Sequence, residues 1–163
     1  FCYGASVTEV TIDTLTGENI IDRVDILQDA GKAINPVLEL GQIEGGFVQG
    51  QGWLTMEEIN WKPNGQITTI SPSTYKIPAS SDIPKIFNVE IFKQGKNKEN
   101  VVNKSKTTGE PPLMLAMSVF YAIKDAVASV GEYKVIPKLD APATPEKILM
   151  SLKELKSRIR YNS

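Results

Sequence analysis

The stretch KSKTTGEPPL, residues 104–113, marks where an apolar helix begins. Proline suits the first helical turn, because the N–H that it lacks would be unpaired there. Gly109 permits backbone conformations that a Cβ would resist. Glu110 stands between this glycine and two prolines, so we expect a stiff turn to hold its carboxylate at a helix N-terminus, where the helix dipole favours an anion.

Glu110 has two interpretations at this point. A carboxylate of fixed direction and depth, with neighbours that can tune its pKa, suits a general base. An acid in the first turn of a helix can equally do no more than cap and stabilise that helix. The spacing by itself leaves both interpretations open.

The composition excludes several kinds of site. The chain has 163 residues, enough for one domain (1–163), with 41% hydrophobic and 23% charged residues, as is typical of a globular protein. It has no histidine and one cysteine, Cys2. It therefore cannot build from its own side chains a common zinc site, an iron–sulfur cluster or a nucleophile–histidine apparatus. A net charge of -1 does not favour a nucleic-acid surface.

The compartment and the completeness of the chain can also be addressed from the sequence. One cysteine cannot form an intrachain disulfide, so we expect a reducing compartment, the cytoplasm. We see no signal peptide, and no apolar run that approaches the roughly 20 residues of a membrane span. The first residue is Phe1, and we expect the chain to be a piece of a larger protein.

The residue patterns predict an α+β fold with two hairpins and three helices. The first hairpin pairs residues 7–12 with residues 20–27, and the second spans residues 60–70 and turns at Asn64-Gly65. Residues 87–92 form a lone short strand. A Gly-rich helix runs from Asn35-Pro36 to about Glu58. A core helix runs from Glu110 to about Val130, and we expect Met114 and Met117 to fill the core. A C-terminal helix begins at Thr144-Pro145-Glu146 and has Ile148, Leu152, Leu155 and Ile159 on one face.

The Gly-rich helix contains five of the chain's 12 glycines. Each glycine in a helix costs about 0.5–1 kcal/mol relative to alanine, so the set requires a reason. Gly41, Gly45 and Gly52 fall near one face, which would admit a flat ligand or another backbone, and Gln42, Gly46 and Gln49 form a neighbouring stripe. The helix then lies against a polar cofactor or a buried partner, or packs tightly on another helix, or is kinked at Gly45-Gly46.

Three motifs carry a resemblance to a known family. They are GQIEGGFVQG (41–50), PSTYKIP (72–78) and GEPPL (109–113), in that order. Together they resemble the C-terminal part of the molybdenum-binding subunit of xanthine dehydrogenases and, more broadly, the molybdenum hydroxylases, which include aldehyde oxidases. The resemblance covers nearly the whole chain. The residues Thr107-Thr108 depart from it, since less polar residues are expected there.

The resemblance implies an oxidative hydroxylation of a purine such as xanthine or hypoxanthine, or else of an aldehyde or another N-heterocycle. It implies that Glu110 is the general base that activates a molybdenum-bound hydroxyl, and that Gln42 and Gly109 contact the molybdenum–pterin (molybdopterin) cofactor. No protein side chain is implied as a metal ligand, because sulfur of the pterin holds the molybdenum. The partners implied are the rest of the molybdenum subunit and the iron–sulfur and FAD domains or subunits.

A different hypothesis is that the chain is an inert folding or interaction module. We predict that the isolated 163 residues retain little or no molybdenum, because most of the residues that would enclose the cofactor are absent. Metal analysis of the purified chain tests this prediction. Stoichiometric molybdenum retained through purification would contradict it.

Overall fold

The computed structural model describes the backbone of residues 1–162 and the side chains of residues 1–160. Strand β1 (Gly4–Ile12) pairs antiparallel with β2 (Asn19–Gln28), which confirms the first hairpin. The connecting turn is stabilised by Asp13, whose Oδ1 accepts the Leu15 N–H at 2.7 Å. Strand β3 (Ile86–Ile91) pairs with β2 in parallel, giving the sheet order β1-β2-β3. The short strand is therefore an edge of the same sheet.

Helix α1 (Pro36–Thr55) is the predicted Gly-rich helix. Asn35 caps it, because its Oδ1 accepts the Leu38 N–H at 3.3 Å, and Pro36 occupies the first helical position. The helix continues without interruption past Gly45 and Gly46, so the kinked alternative is wrong.

Glu110 is followed by a 3-10 segment, Pro111–Ala116, and not directly by the predicted α-helix. Helix α2 (Met117–Val130) follows this segment and is capped at its C-terminus by Gly131. Our expectation that Met114 and Met117 fill the core is wrong, since they are 60% and 41% exposed. A 3-10 segment has three residues per turn, so extrapolating a 3.6-residue period through it misplaces side chains. The residues buried here are Pro112, Ala116 and Val119.

The same segment corrects a second expectation. Pro111–Val130 has 20 residues and a mean hydropathy of 1.6, so an apolar run of membrane-spanning length and composition is present. Such a run is weak evidence of a span, because a core helix can satisfy the same criteria. Val119, Ile123 and Val127 are fully buried in the core of this fold.

Helix α3 (Pro145–Asn162) confirms the predicted C-terminal helix. Ile148, Leu152 and Leu155 are buried, and Ile159 packs against the same cluster. The second hairpin is a loop with one bridge, Trp61 with Ile67, and not a pair of strands. Both bridge residues are exposed, and a two-stranded ribbon without a packed face is marginal in water.

The core combines one face of the sheet with the three helices. From β2 come Val24 and Ile26, and from α1 come Ile43 and Phe47, whose ring lies 5.5 Å from that of Phe87 on β3. The other face of the sheet is polar at its centre, where Arg23 and Asn88 both donate to Asp25. Helix α1 is therefore held against the sheet by its buried face.

Of the three glycines expected to permit close approach, Gly52 does so, because a Cβ there would lie 2.6 Å from Pro78. Gly41 and Gly45 face open space, whereas a Cβ on Gly46 would lie 3.1 Å from the Gly109 carbonyl oxygen. A Cβ on Gly50 would overlap the Leu113 carbonyl oxygen and lie 2.8 Å from the Cβ of Ala116. The backbone of residues 109–113 thus rests directly on α1, so tight packing explains Gly46 and Gly50.

We predict opposite effects for two glycine-to-alanine variants of α1. Gly50→Ala should lower the free energy of unfolding by about 1–3 kcal/mol, because the new methyl group overlaps backbone that cannot move cheaply. The matched control, Gly45→Ala, should raise it by about 0.5–1 kcal/mol, because its methyl group meets open space and alanine favours the helix. Urea unfolding of the purified chain measures both. A Gly50→Ala variant as stable as Gly45→Ala would contradict the packing described here.

Candidate functional site

Glu110 lies at the N-cap position of the 3-10 segment, as the sequence predicts, but its carboxylate makes no capping hydrogen bond. Its backbone carbonyl accepts the Leu113 N–H at 3.1 Å. The residue is exposed, and within the described part of the chain its side chain has no hydrogen-bond or ion-pair partner. The capping interpretation therefore has no support from the side chain.

Gln42 lies beside the Glu110 turn. Its Oε1 atom is 3.4 Å from the position that a Cβ on Gly109 would take. Both Gln42 and Gly109 are exposed. The fold thus brings together the three site residues that the sequence singles out, with Gln42 on α1 and the other two on the turn packed against it. We call this set the Gln42–Glu110 edge.

The Gln42–Glu110 edge is open to solvent on its outer side. A general base beside a metal site is expected in a mostly dry pocket, and the described residues do not enclose one around Glu110. A cleft of about 740 Å³ lies elsewhere, between the start of α1 and the end of β3, with Gly31, Pro36, Leu40, Ile91 and Phe92 among its lining residues. The edge is therefore one wall of a site and not a complete site.

The loop that leads to Glu110 is tied to the segment that follows β2. Gly31 and Ser105 form a β-bridge. On either side of it, the Lys32 N–H donates to the Lys104 carbonyl at 3.1 Å and the Lys106 N–H donates to the Ala30 carbonyl at 2.9 Å. Further along the loop, the Cys2 thiol donates to the Thr107 carbonyl at 3.0 Å.

A largely buried ion pair reinforces this bridge. Lys106 Nζ lies 2.5 Å from Asp29 Oδ2, and the two side chains are only 10% and 13% exposed. Asp29 Oδ1 accepts the Gly31 N–H at 2.8 Å. Burial pushes the pKa of Asp29 upward, but the hydrogen bonds from Lys106 and Gly31 and the lysine charge leave that pKa below its usual value. Sequence reasoning missed this pair, because its members are 77 residues apart.

The motif at residues 72–78 lies at the opposite end of α1 from Gln42. The Tyr75 hydroxyl donates to Glu57, and this hydrogen bond raises the pKa of Tyr75. Lys76 pairs with Asp82 at 2.9 Å, and Pro78 packs against Gly52. These contacts stabilise the loop that contains the motif and hold it against the end of α1.

The cofactor expectation can be tested against the chemistry of these residues. Among residues 1–160, no group of three or more His, Cys, Asp or Glu side chains could hold a metal ion. A metal held by sulfur of a pterin needs no such group. Within the described residues, the Gln42 amide and the Glu110 carboxylate are exposed and have no hydrogen-bond partner, and a Cβ on Gly41 or Gly45 would meet open space. The edge fits one side of a molybdenum–pterin site.

Comparison with known proteins agrees with this fit. Residues 1–84, just over half of the chain, match the molybdopterin cofactor-binding domain family. The chain belongs to this family. The family description states the cofactor that its members bind, so the molybdenum–pterin expectation is confirmed at the level of the family.

The curated relatives are much longer than this chain. It is 48% identical over 153 residues to a xanthine dehydrogenase/oxidase of Rattus norvegicus, which covers 91% of this chain and 11% of that protein. It is 43% identical over 157 residues to aldehyde oxidase 1 of Bos taurus, which covers 94% of this chain and 12% of that protein. The chain thus spans about an eighth of the length of these relatives, which are oxidoreductases.

Solved structures share the fold. Quinoline 2-oxidoreductase from Pseudomonas putida 86 superposes with a TM-score of 0.77 at 29% identity, over 89% of this chain and 18% of that chain. The aldehyde oxidoreductase from Desulfovibrio gigas gives 0.71 at 27% identity, over 93% of this chain and 15% of that chain. Carbon monoxide dehydrogenase from Oligotropha carboxidovorans superposes with a TM-score of 0.80 at 20% identity, over 96% of this chain and 19% of that chain. At this identity the similarity is one of fold alone.

The lowered pKa of Asp29 predicts how acid affects stability. A group whose pKa is lower in the folded state contributes stability above its unfolded pKa, about 3.9, and this contribution is lost as the pH falls through the lower folded value. The Asp29→Asn variant should therefore show a shallower loss of stability between about pH 5 and pH 2 than the parent chain. Urea midpoints measured across this range test the prediction. Parallel curves for the two proteins would contradict it.

Proposed function

We propose that this chain forms one wall of the active site of a molybdenum hydroxylase, with Glu110 as the general base. The observation that carries the proposal is the juxtaposition of Glu110 with the Gln42 amide on an open edge, in a chain of the molybdopterin cofactor-binding family. The bound cofactor would supply the two-electron oxidation of the substrate carbon. The steps that follow concern only what the residues of this chain do.

Glu110 is suited to accept a proton. Its carboxylate has no partner among the described residues, so an incoming donor competes with no internal hydrogen bond. The turn that bears it is backed by the close contact of Gly46 with the Gly109 carbonyl, so the backbone from which the carboxylate projects is held against α1. A fixed base within hydrogen-bond reach of the proton that it removes contributes typically 10²–10⁴-fold to the rate.

Gln42 and Gly109 are suited to contact the cofactor. A glutamine amide offers two N–H donors and a carbonyl acceptor, which suits the polar edge of a pterin or a metal-bound group. Gly109 lacks a side chain, so a flat group can approach the backbone between Gln42 and Glu110. Neither residue need be a metal ligand.

For the substrate we propose a purine such as xanthine or hypoxanthine, because the xanthine dehydrogenase relatives are among those most similar in sequence. An aldehyde or another N-heterocycle is the alternative, and it is favoured by the similarity to aldehyde oxidase 1 and by the fold shared with quinoline 2-oxidoreductase. Turnover of purines, aldehydes and quinolines by the complete enzyme separates these alternatives.

The remaining parts of the enzyme are also proposals. The chain would be the C-terminal portion of a cofactor-binding domain in the cytoplasm, inactive in isolation, because its edge leaves Glu110 in solvent. The rest of the molybdenum subunit would close the pocket. Iron–sulfur clusters and FAD would lie in other domains or subunits, since a chain with one cysteine cannot hold a cluster.

The test of the base is Glu110→Gln in the complete enzyme that contains this segment. The substitution preserves shape but removes the proton acceptor, so kcat should fall by at least about 10²-fold while the molybdenum and pterin contents stay unchanged. The matched control is Glu44→Gln, which removes another exposed carboxylate, on α1, and should leave kcat unchanged. A near-normal kcat for Glu110→Gln, with cofactor intact, would contradict the assignment.

A further inference from the structure

The ion pair between Asp29 and Lys106 lies close to Glu110 along the chain but has no place in the proposed proton transfer. Lys106 precedes Glu110 by four residues, and its ammonium group points back toward the end of β2 and not toward the Gln42–Glu110 edge. Both partners of the pair are largely removed from solvent, unlike the more exposed pairs elsewhere on the sheet, such as Lys85 with Asp22.

The surroundings of the pair are closely packed. Asp29 accepts hydrogen bonds from both the lysine and the Gly31 N–H, and a Cβ on Gly95 would overlap its Oδ1 atom. The ammonium group of Lys106 also lies 5.4 Å from the centre of the Tyr3 ring. Asp29 contacts Gly31 and pairs with Lys106, the residue after Ser105, so the ion pair connects the two segments that the bridge between Gly31 and Ser105 joins.

The loop that bears Glu110 is thus held on two sides. Before Glu110, the ion pair and the bridge connect residues 104–106 to the segment after β2. After Glu110, the backbone of residues 109–113 rests on Gly46 and Gly50 of α1. Between these two attachments, the Cys2 thiol donates a hydrogen bond to the Thr107 carbonyl and so connects the loop to the N-terminal segment.

We propose that the Asp29–Lys106 ion pair is a positioning device that holds in place the loop that bears Glu110. The inference rests on the proposed role of Glu110 as base. A base must lie within hydrogen-bond reach of its proton, and a misplacement of about 1 Å can cost about 10²-fold in rate. Asp29 and Lys106 are positioning residues, because they act through the loop and touch neither substrate nor cofactor.

A charge pair suits this role because removing one partner has a large local effect. Exposed pairs contribute little, since water screens them and the side chains lose entropy on pairing. Removing one partner of a buried pair leaves the other charge without compensation, so the local structure must open to solvate it. Loss of Lys106 should therefore release residues 104–110 first, before the core is affected.

The experiment uses the complete enzyme with three variants. Lys106→Met keeps the length of the side chain and removes its charge. Asp29→Asn combined with Lys106→Met also removes the charge that the single substitution leaves unpaired. Lys85→Met is the matched control, since it breaks a pair whose side chains are 63% and 27% exposed. The measurements are kcat, KM, cofactor content, Tm and amide hydrogen exchange of residues 104–113.

Lys106→Met should lower kcat by about 10- to 100-fold with little change in KM, and should speed hydrogen exchange of residues 104–110 by at least about tenfold. The double variant should recover Tm toward that of the parent enzyme while its kcat stays low, because the unpaired charge is gone but the loop is still unattached. Lys85→Met should change neither kcat nor exchange in this segment.

Failure of this inference can be told apart from failure of the proposed base. If Glu110→Gln is inactive while Lys106→Met keeps a normal kcat, or lowers kcat with no change in exchange of residues 104–110, the positioning role is overturned and the base stands. A double variant with normal kcat overturns it as well. A fully active Glu110→Gln variant overturns both, whatever the exchange data show.

Discussion

The proposed site depends on one close contact between two segments of backbone. Gly46 and Gly50 of α1 have no side chain, so the turn at residues 109–113 lies directly on the helix. A larger residue at either position would push the turn outward and carry Glu110 away from Gln42. The glycines cost helix stability, about 0.5–1 kcal/mol each relative to alanine, and they permit the close approach of residues 109–113 to the helix that bears Gln42.

The exposure of the Gln42–Glu110 edge agrees with the proposal that it forms one side of a larger site. Glu110 and Gln42 are exposed and unpaired within the described residues. Large apolar side chains of α1, the 3-10 segment and α2 are exposed as well: Val37, Leu38, Trp53, Met114, Met117 and Tyr121. The chain spans 11–12% of the length of its relatives, which agrees with a piece whose outer surface is completed by other parts of a subunit.

Much of the fold follows from local patterns. Asn35-Pro36 predicts the start of α1, Gly131 the end of α2, and the spacing of Ile148, Leu152 and Leu155 the buried face of α3, because capping and helical periodicity are properties of neighbouring residues. The errors have local causes as well. Met114 and Met117 point outward because two prolines begin a 3-10 segment in which the 3.6-residue period does not hold. The second hairpin forms only one bridge because its residues have no packed face to rest on.

The sequence by itself singled out the three proposed site residues, Gln42, Gly109 and Glu110, because the motifs that contain them carry the family resemblance in residue types and order alone. Only the tertiary structure decided which glycines support the proposed site. Residues 109–116 pack against Gly46 and Gly50, whereas Gly41 and Gly45 face open space. The residues adjacent in sequence do not distinguish the two pairs. The tertiary structure also decided that Lys106 belongs with Asp29. Their meeting depends on how the chain returns from β3 to the end of β2, and a charge pair separated by 77 residues leaves no periodic signal in a sequence.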